Sequence, residues 1–162
     1  MMELDIENSV YVQKAKKLFL EGYNCSQAVF LAFEDMYDMD HSMALRLSSS
    51  FGGGMGRLRE VCGVVSGMFM VAGALYGYED PKDMAAKKEH YERIQALAQA
   101  YQIRNGSIVC REILGLGKGK DDPKPAERTD EYYKKRPCSE LVAMGAAIME
   151  QYIIEHDKKV VL

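Results

Sequence analysis

The chain has 162 residues, of which 48% are hydrophobic, and its formal net charge at pH 7 is −3. This length predicts a single domain, residues 1–162, with a sizeable core. The acidic balance and the even spread of lysines argue against a nucleic-acid-binding protein, because such proteins concentrate basic residues in patches.

Helical signals dominate the first half of the chain. Apolar residues at three- and four-residue spacing predict a helix over 10–20. Asn24 followed by Gln27 matches a capping box, which predicts that a second helix starts directly after Asn24. A short helix predicted over 41–50 leads into a glycine cluster at 52–56. The cluster lacks the Gly-Lys-Ser/Thr ending of a phosphate-binding loop, so we expect a tight turn there.

Residues 61–78 form an uncharged run in which glycines recur four apart, at Gly63–Gly67 and Gly73–Gly77. Residues four apart share a helix face, and glycine costs a helix interior about 1 kcal/mol relative to alanine. We therefore predict a buried central helix on which other backbones pack closely. Its glycines make it too weakly hydrophobic for a membrane span. Because the first residues lack a secretory signal, we expect a cytoplasmic protein with reduced thiols.

The second half of the chain is also helical in pattern. Helices are predicted over 81–104 and 108–114, followed by a long loop over 115–130 and a last helix over 138–155, which Pro137 precedes. No strand-like alternation and no internal repeat is present. The predicted fold is all-α, an irregular bundle of five to six helices around the glycine-rich central helix.

All the cysteines fall in the first turns of predicted helices: Cys25, Cys62, Cys110 and Cys138. No pair forms Cys-x-x-Cys, so their spacing alone is a weak metal signal. A helix start offers unpaired N–H groups and a partial positive charge, which we expect to lower the pKa of each thiol and favour the thiolate. Neighbouring arginines add to this effect: Arg57 and Arg59 near Cys62, Arg111 beside Cys110, and Arg136 near Cys138.

Five short motifs surround these cysteines: YNCSQA at 23–28, FGGGMG at 51–56, CGVVSG at 62–67, Cys110-Arg111 and Cys138-Ser139. Their combination resembles the redox-active family named for its C-GCAxxG-C-C cysteine pattern, over about residues 23–148. Val64 departs from the alanine that is usual in that pattern. The resemblance implies a redox-active protein in which the four cysteines form one shared site.

Several functions remain open at this level. The first is an electron-transfer protein whose four cysteines bind an iron–sulfur cluster or another metal, supported by Gly63, Gly67 and adjacent arginines. The second is a metal-free thiol–disulfide or peroxide-reducing oxidoreductase with Cys62 as the catalytic, attacking thiol, because it follows two arginines and starts the central helix. A structural zinc site ranks lower, since no close cysteine pair exists. An interaction protein or homodimer with incidental cysteines is the last alternative. A redox partner is expected without being identified, and neither nucleic acid nor membrane is expected as a partner.

Overall fold

The computed structural model describes residues 3–117 and 119–156, which form an all-α fold, as predicted. The helical segments in chain order are α1 (Val10–Leu20), α2 (Cys25–Ala32), a 3₁₀ turn (Glu34–Met36), α3 (His41–Ser49), α4 (Gly52–Met55), α5 (Gly63–Tyr76), α6 (Met84–Asn105), α7 (Cys110–Ile113), α8 (Asp130–Lys135) and α9 (Cys138–His156). Within the described ranges, six of these are at least eight residues long. An isolated antiparallel bridge joins Val61 and Val109.

Local capping fixes where the early helices begin. The Asn24 side chain accepts a hydrogen bond of 2.9 Å from the Gln27 N–H, and the Gln27 side chain accepts one of 3.1 Å from the Asn24 N–H. The predicted capping box is therefore present, and it places Cys25 at the first position of α2. Asp40 caps α3 in the same way, through the N–H of Met43.

Two elements differ from the sequence prediction by more than two residues. Helix α6 begins at Met84, because the Asp83 carboxylate caps it through the Ala86 N–H at 2.9 Å. The Asp-Pro pair at 80–81, predicted as the start, instead forms part of the preceding turn. Helix α8 was not predicted, since its six residues carry no apolar period, and Thr129 caps its start.

Helix α2 packs against α1, α3, α5 and α9, and α5 also packs against α6 and α9. The first half of α5 is buried, including Val64, Val65 and Met68. Beyond Ala72 its residues are partly or fully exposed, so the core contains only part of the uncharged run that was predicted as wholly buried. No helix in the described part of the chain is long and apolar enough to cross a membrane.

Two glycines bring the α2 and α5 backbones together. A Cβ atom at Gly67 would lie 2.8 Å from the Val29 Cβ, and one at Gly63 would collide with the Cys25 sulfur. Gly73, farther along α5, has no atom within 4 Å of its would-be Cβ. The close packing therefore belongs to the first pair of glycines and holds the start of α5 against the start of α2.

Candidate functional site

A cavity of about 290 Å³ lies where the starts of α2, α5, α7 and α9 meet. All four cysteines line it. Cys25, Cys110 and Cys138 are the first residues of α2, α7 and α9, and Cys62 immediately precedes α5. The thiols are all free. The fold thus gathers four sulfur atoms from distant parts of the chain around one space.

The glycine cluster forms a turn of reversed hand beside the cavity. Residues 53–57 all have φ between +63° and +70°, the left-handed region that costs a non-glycine residue roughly 1–2 kcal/mol. Met55 and Arg57 adopt this unfavourable conformation, which is maintained only where the surrounding structure holds the backbone in place. A Cβ atom at Gly54 would lie 2.6 Å from the Cys110 Cβ. Glycine here lets the main chain press directly against a thiol-bearing residue.

Main-chain amides surround the sulfur of Cys25. The N–H groups of Gly53 and Ser26 donate hydrogen bonds to it. Burial nevertheless raises the pKa of the Cys25 thiol, and these amide bonds only partly offset that effect. Gly63 leaves the space that the sulfur occupies. This sulfur is therefore positioned by backbone on two sides.

A buried tyrosine on α6 contacts the second thiol. The hydroxyl oxygen of Tyr101 lies 3.5 Å from the Cys62 sulfur, and Tyr101 is fully buried. Burial raises the pKa of Cys62 to about 12, with repulsion from Cys25 the next cause, while the tyrosine hydrogen bond acts in the opposite direction. Burial also raises the pKa of Tyr101, so its hydroxyl stays protonated, and either the hydroxyl or the thiol can donate across this contact. The sequence places Tyr101 only within the helix predicted over 81–104 and indicates no role for it at the site.

A guanidinium contacts the third thiol. Arg59 Nη1 lies 3.6 Å from the Cys110 sulfur, and Arg59 Nε donates to the Asp121 carboxylate at 2.8 Å. Arg59 is buried and also has a left-handed backbone, with φ of 61°. The sequence placed this arginine beside Cys62, whereas the structure turns it to Cys110. Arg111 pairs with a glutamate at 3.0 Å and is not among the residues that line the cavity.

The fourth thiol has the fewest partners. Cys138 is partly exposed, and no hydrogen bond from the described residues reaches its sulfur. Burial raises the pKa of Cys138 to about 12, followed by repulsion from Cys25 and Cys110, and Arg136 opposes these effects.

The expectation that the helix starts lower the thiol pKa is wrong for Cys25, Cys62 and Cys138, all of which have a raised pKa. The free-energy cost of removing a thiolate from water exceeds the stabilisation that a helix start or an amide hydrogen bond provides. Thiolates that share one cavity also repel one another. These three groups are consequently thiols at neutral pH, unless a cation takes the place of their protons.

Among the described residues that line the cavity none is acidic, and four are arginines that add positive charge: Arg57, Arg59, Arg128 and Arg136. Asp121 lies outside the lining and pairs with two of them, at 2.8 Å from Arg59 and 3.8 Å from Arg57. The chain as a whole is acidic, with a net charge of −3. This local concentration of arginines opposes the negative charge that several thiolates would carry.

The four cysteine sulfur atoms lie around a cavity and do not meet at one position. Within residues 3–117 and 119–156, no three side chains of His, Cys, Asp or Glu are grouped closely enough to hold one metal ion. Four thiolates at about 2.3 Å from one tetrahedral zinc ion would be roughly 3.8 Å apart. The arrangement therefore differs from a structural zinc site.

The comparison with known families decides the wider relationship. A family model described as "Putative redox-active protein (C_GCAxxG_C_C)" matches residues 23–152, which is most of the chain. The chain belongs to this family. All four cysteines and the left-handed glycine turn lie inside the matched C_GCAxxG_C_C region, and the resemblance seen in the sequence is confirmed. No curated protein and no solved structure matches the chain.

Proposed function

We propose that this C_GCAxxG_C_C protein is an electron-transfer protein whose four cysteines bind an iron–sulfur cluster in the cavity. One observation carries the proposal: four thiols from four helix starts line one cavity, while no three groups in the described part of the chain converge on a single ion position. Four cysteine thiolates are the usual ligand set of a cluster. A cluster with several irons takes ligands spread around it, whereas one metal ion draws them to a point.

The donors around the sulfurs fit such a group. Amide N–H groups reach Cys25, the Tyr101 hydroxyl reaches Cys62, and the Arg59 guanidinium reaches Cys110. Hydrogen bonds to the sulfurs, net charge and solvent exposure set the reduction potential of a cluster. A bound cluster would supply one-electron transfer. The chain's own residues would hold the sulfurs, limit access by water and offset negative charge.

The raised pKa values of Cys25, Cys62 and Cys138 also support a cationic centre. Iron would replace the thiol protons, so assembly would release protons and weaken as the pH falls. Attraction between the thiolates and the metal, rather than the helix starts, would then offset the free-energy cost of burying the thiolates.

Metal-free thiol chemistry is the second candidate, as a thiol–disulfide or peroxide-reducing oxidoreductase. The contact between Arg59 and Cys110 favours it, because a cationic partner stabilises a thiolate. In this case Cys110 suits the role of attacking thiol better than Cys62. No cationic side chain in the described part of the chain hydrogen-bonds to Cys62, and burial raises its pKa to about 12. A structural zinc site ranks third, given the spread of the sulfurs.

The test is iron and acid-labile sulfide per chain, measured on protein purified without oxygen. We expect iron with matching sulfide, and a lower content of both in each of the four cysteine-to-serine variants. Ser139→Ala is the matched control, because Ser139 follows Cys138 and does not line the cavity. Iron and sulfide that persist in all four cysteine variants would contradict this cavity as the site. Folded protein with neither would overturn the cluster and favour thiol chemistry, and zinc alone would favour the structural site. A redox partner, a homodimer and a cytoplasmic location stay predictions.

A further inference from the structure

The side of the cavity at Cys138 has features beyond the supply of one cluster ligand. Cys62 and Cys110 are each only 6% exposed, whereas Cys138 is partly exposed. Cys25 is also partly exposed, but amide N–H groups donate to its sulfur. Cys138 thus combines exposure with a sulfur to which no described residue donates a hydrogen bond. It is the thiol that a molecule from solvent reaches with least disruption.

Of the arginines that line the cavity, three have partners within the protein. Arg57 and Arg59 pair with Asp121. Arg128 donates to two main-chain carbonyls at and just after the end of α1. The Arg136 side chain makes no hydrogen bond and no ion pair with any residue in the described ranges, although Arg136 lines the cavity two positions before Cys138.

Acidic residues compensate only part of the positive charge beside Cys138. Main-chain carbonyls fix Arg128 without neutralising it, and Asp121, which pairs with Arg59 and Arg57, acts on Arg136 only through longer-range attraction. None of the described residues that line the cavity is acidic. A guanidinium recognises a carboxylate through two parallel N–H···O bonds. The cavity volume of about 290 Å³ suits a small molecule rather than a macromolecular segment.

We infer that the Cys138 side of the cavity is a binding subsite for a small organic anion, a carboxylate held by Arg136 together with Arg128 next to the thiols. The inference rests on the proposed function in that it takes the cavity as the redox site, and it names the class of molecule that meets the thiols there. Arg136 places a guanidinium without a side-chain hydrogen bond or ion pair among the described residues two positions before Cys138, a partly exposed thiol. The testing experiment requires no metal, so it is independent of the iron and sulfide result.

The probes are iodoacetate and iodoacetamide, which alkylate the same thiolate and differ chiefly in that the first is an anion. The full-length chain, reduced and treated with a chelator, is reacted with each reagent, and modification of Cys138 is followed by peptide mass spectrometry. The measured quantity is the iodoacetate rate divided by the iodoacetamide rate. This ratio does not depend on the fraction of thiol that is ionised, because both reagents react with the thiolate. We expect this ratio at Cys138 to exceed the ratio for a small free thiol in the same buffer.

Arg136→Gln should lower that ratio about four- to sixfold, which is the effect of one charge at roughly 4–5 Å in a water-like medium. Lys134→Gln is the matched control, because it removes the same charge from an exposed nearby side chain that does not line the cavity. It should leave the ratio unchanged. About 0.5 M salt should bring the wild-type ratio toward that of the arginine variant.

An unchanged ratio in Arg136→Gln, or an equal fall in Lys134→Gln, would overturn the subsite. Should the arginine variant lose its far-ultraviolet circular dichroism, the salt series on the wild-type chain decides, and a ratio at Cys138 that is insensitive to salt overturns the subsite. Absence of iron would overturn the cluster alone, and a flat ratio would overturn this subsite alone.

Discussion

Gly63 occupies the point where the starts of α2 and α5 meet, and replacing it with alanine tests how strictly the cavity depends on that contact. The added Cβ would collide with the Cys25 sulfur and lie 2.9 Å from the Phe51 carbonyl oxygen and 3.2 Å from the Ser26 nitrogen. Two of these three neighbours are main-chain atoms, which cannot rotate away. Gly63→Ala therefore requires the α2 and α5 backbones to move apart.

The magnitude follows from two opposing effects. Alanine gains at most about 1 kcal/mol over glycine from helix propensity, and less at the first position of a helix. Overpacking a well-packed core costs about 1–3 kcal/mol, with the upper part of the range applying where main chain must shift. We expect Gly63→Ala to lower the free energy of unfolding by roughly 1–2 kcal/mol, and to lower bound iron further by displacing the Cys25 sulfur.

Gly73→Ala is the matched control, because it lies within the same helix and its Cβ would meet no atom within 4 Å. This variant should be more stable than the wild type by up to about 1 kcal/mol. Urea unfolding followed by circular dichroism gives both values, with the m-value checked for constancy. A Gly63→Ala protein as stable as the wild type, or an equal loss in Gly73→Ala, would refute close backbone packing as the reason for the glycine.

Two further predictions concern the packing and the hydrogen bonding of the site. A Cβ at Gly145 would collide with the Val64 side chain, so Gly145→Ala should lower the free energy of unfolding by about 1–2 kcal/mol. The same substitution in a Val64→Ala background should lower the free energy of unfolding by less. Equal losses in the two backgrounds would show that the two residues are not coupled. Tyr101→Phe removes the hydroxyl that contacts Cys62, which should raise the pKa of Cys62 further and slow its alkylation at pH 8 by roughly fivefold, the equivalent of about 1 kcal/mol; an unchanged rate at Cys62 would remove the tyrosine from the site.

Local signals explain why so much of the fold was predictable. The capping pair of Asn24 and Gln27 acts within one turn, so its residues alone specify where α2 begins. The same holds for Gly106, which ends α6 in the left-handed conformation that glycine readily adopts. Helix α8 was missed because six polar and aromatic residues carry no period that distinguishes a helix from a loop.

The partners of the thiols were not predictable, because each contact joins residues that are far apart in sequence. Arg59 is close to Cys62 along the chain, but the left-handed backbone around it directs the guanidinium to Cys110. Tyr101 reaches Cys62 from a helix whose pattern indicates only an apolar face.

The sequence by itself determined the longer helices, the positions of the cysteines at helix starts and the resemblance to the family, since these depend on short-range periodicity, capping and motif spacing. Only the tertiary structure decided that the four starts enclose one cavity, which thiol receives which donor, and that the pKa of Cys25, Cys62 and Cys138 rises rather than falls. The physical reason is that a helix start acts over a single turn, whereas the cost of removing a thiolate from water depends on everything packed around it.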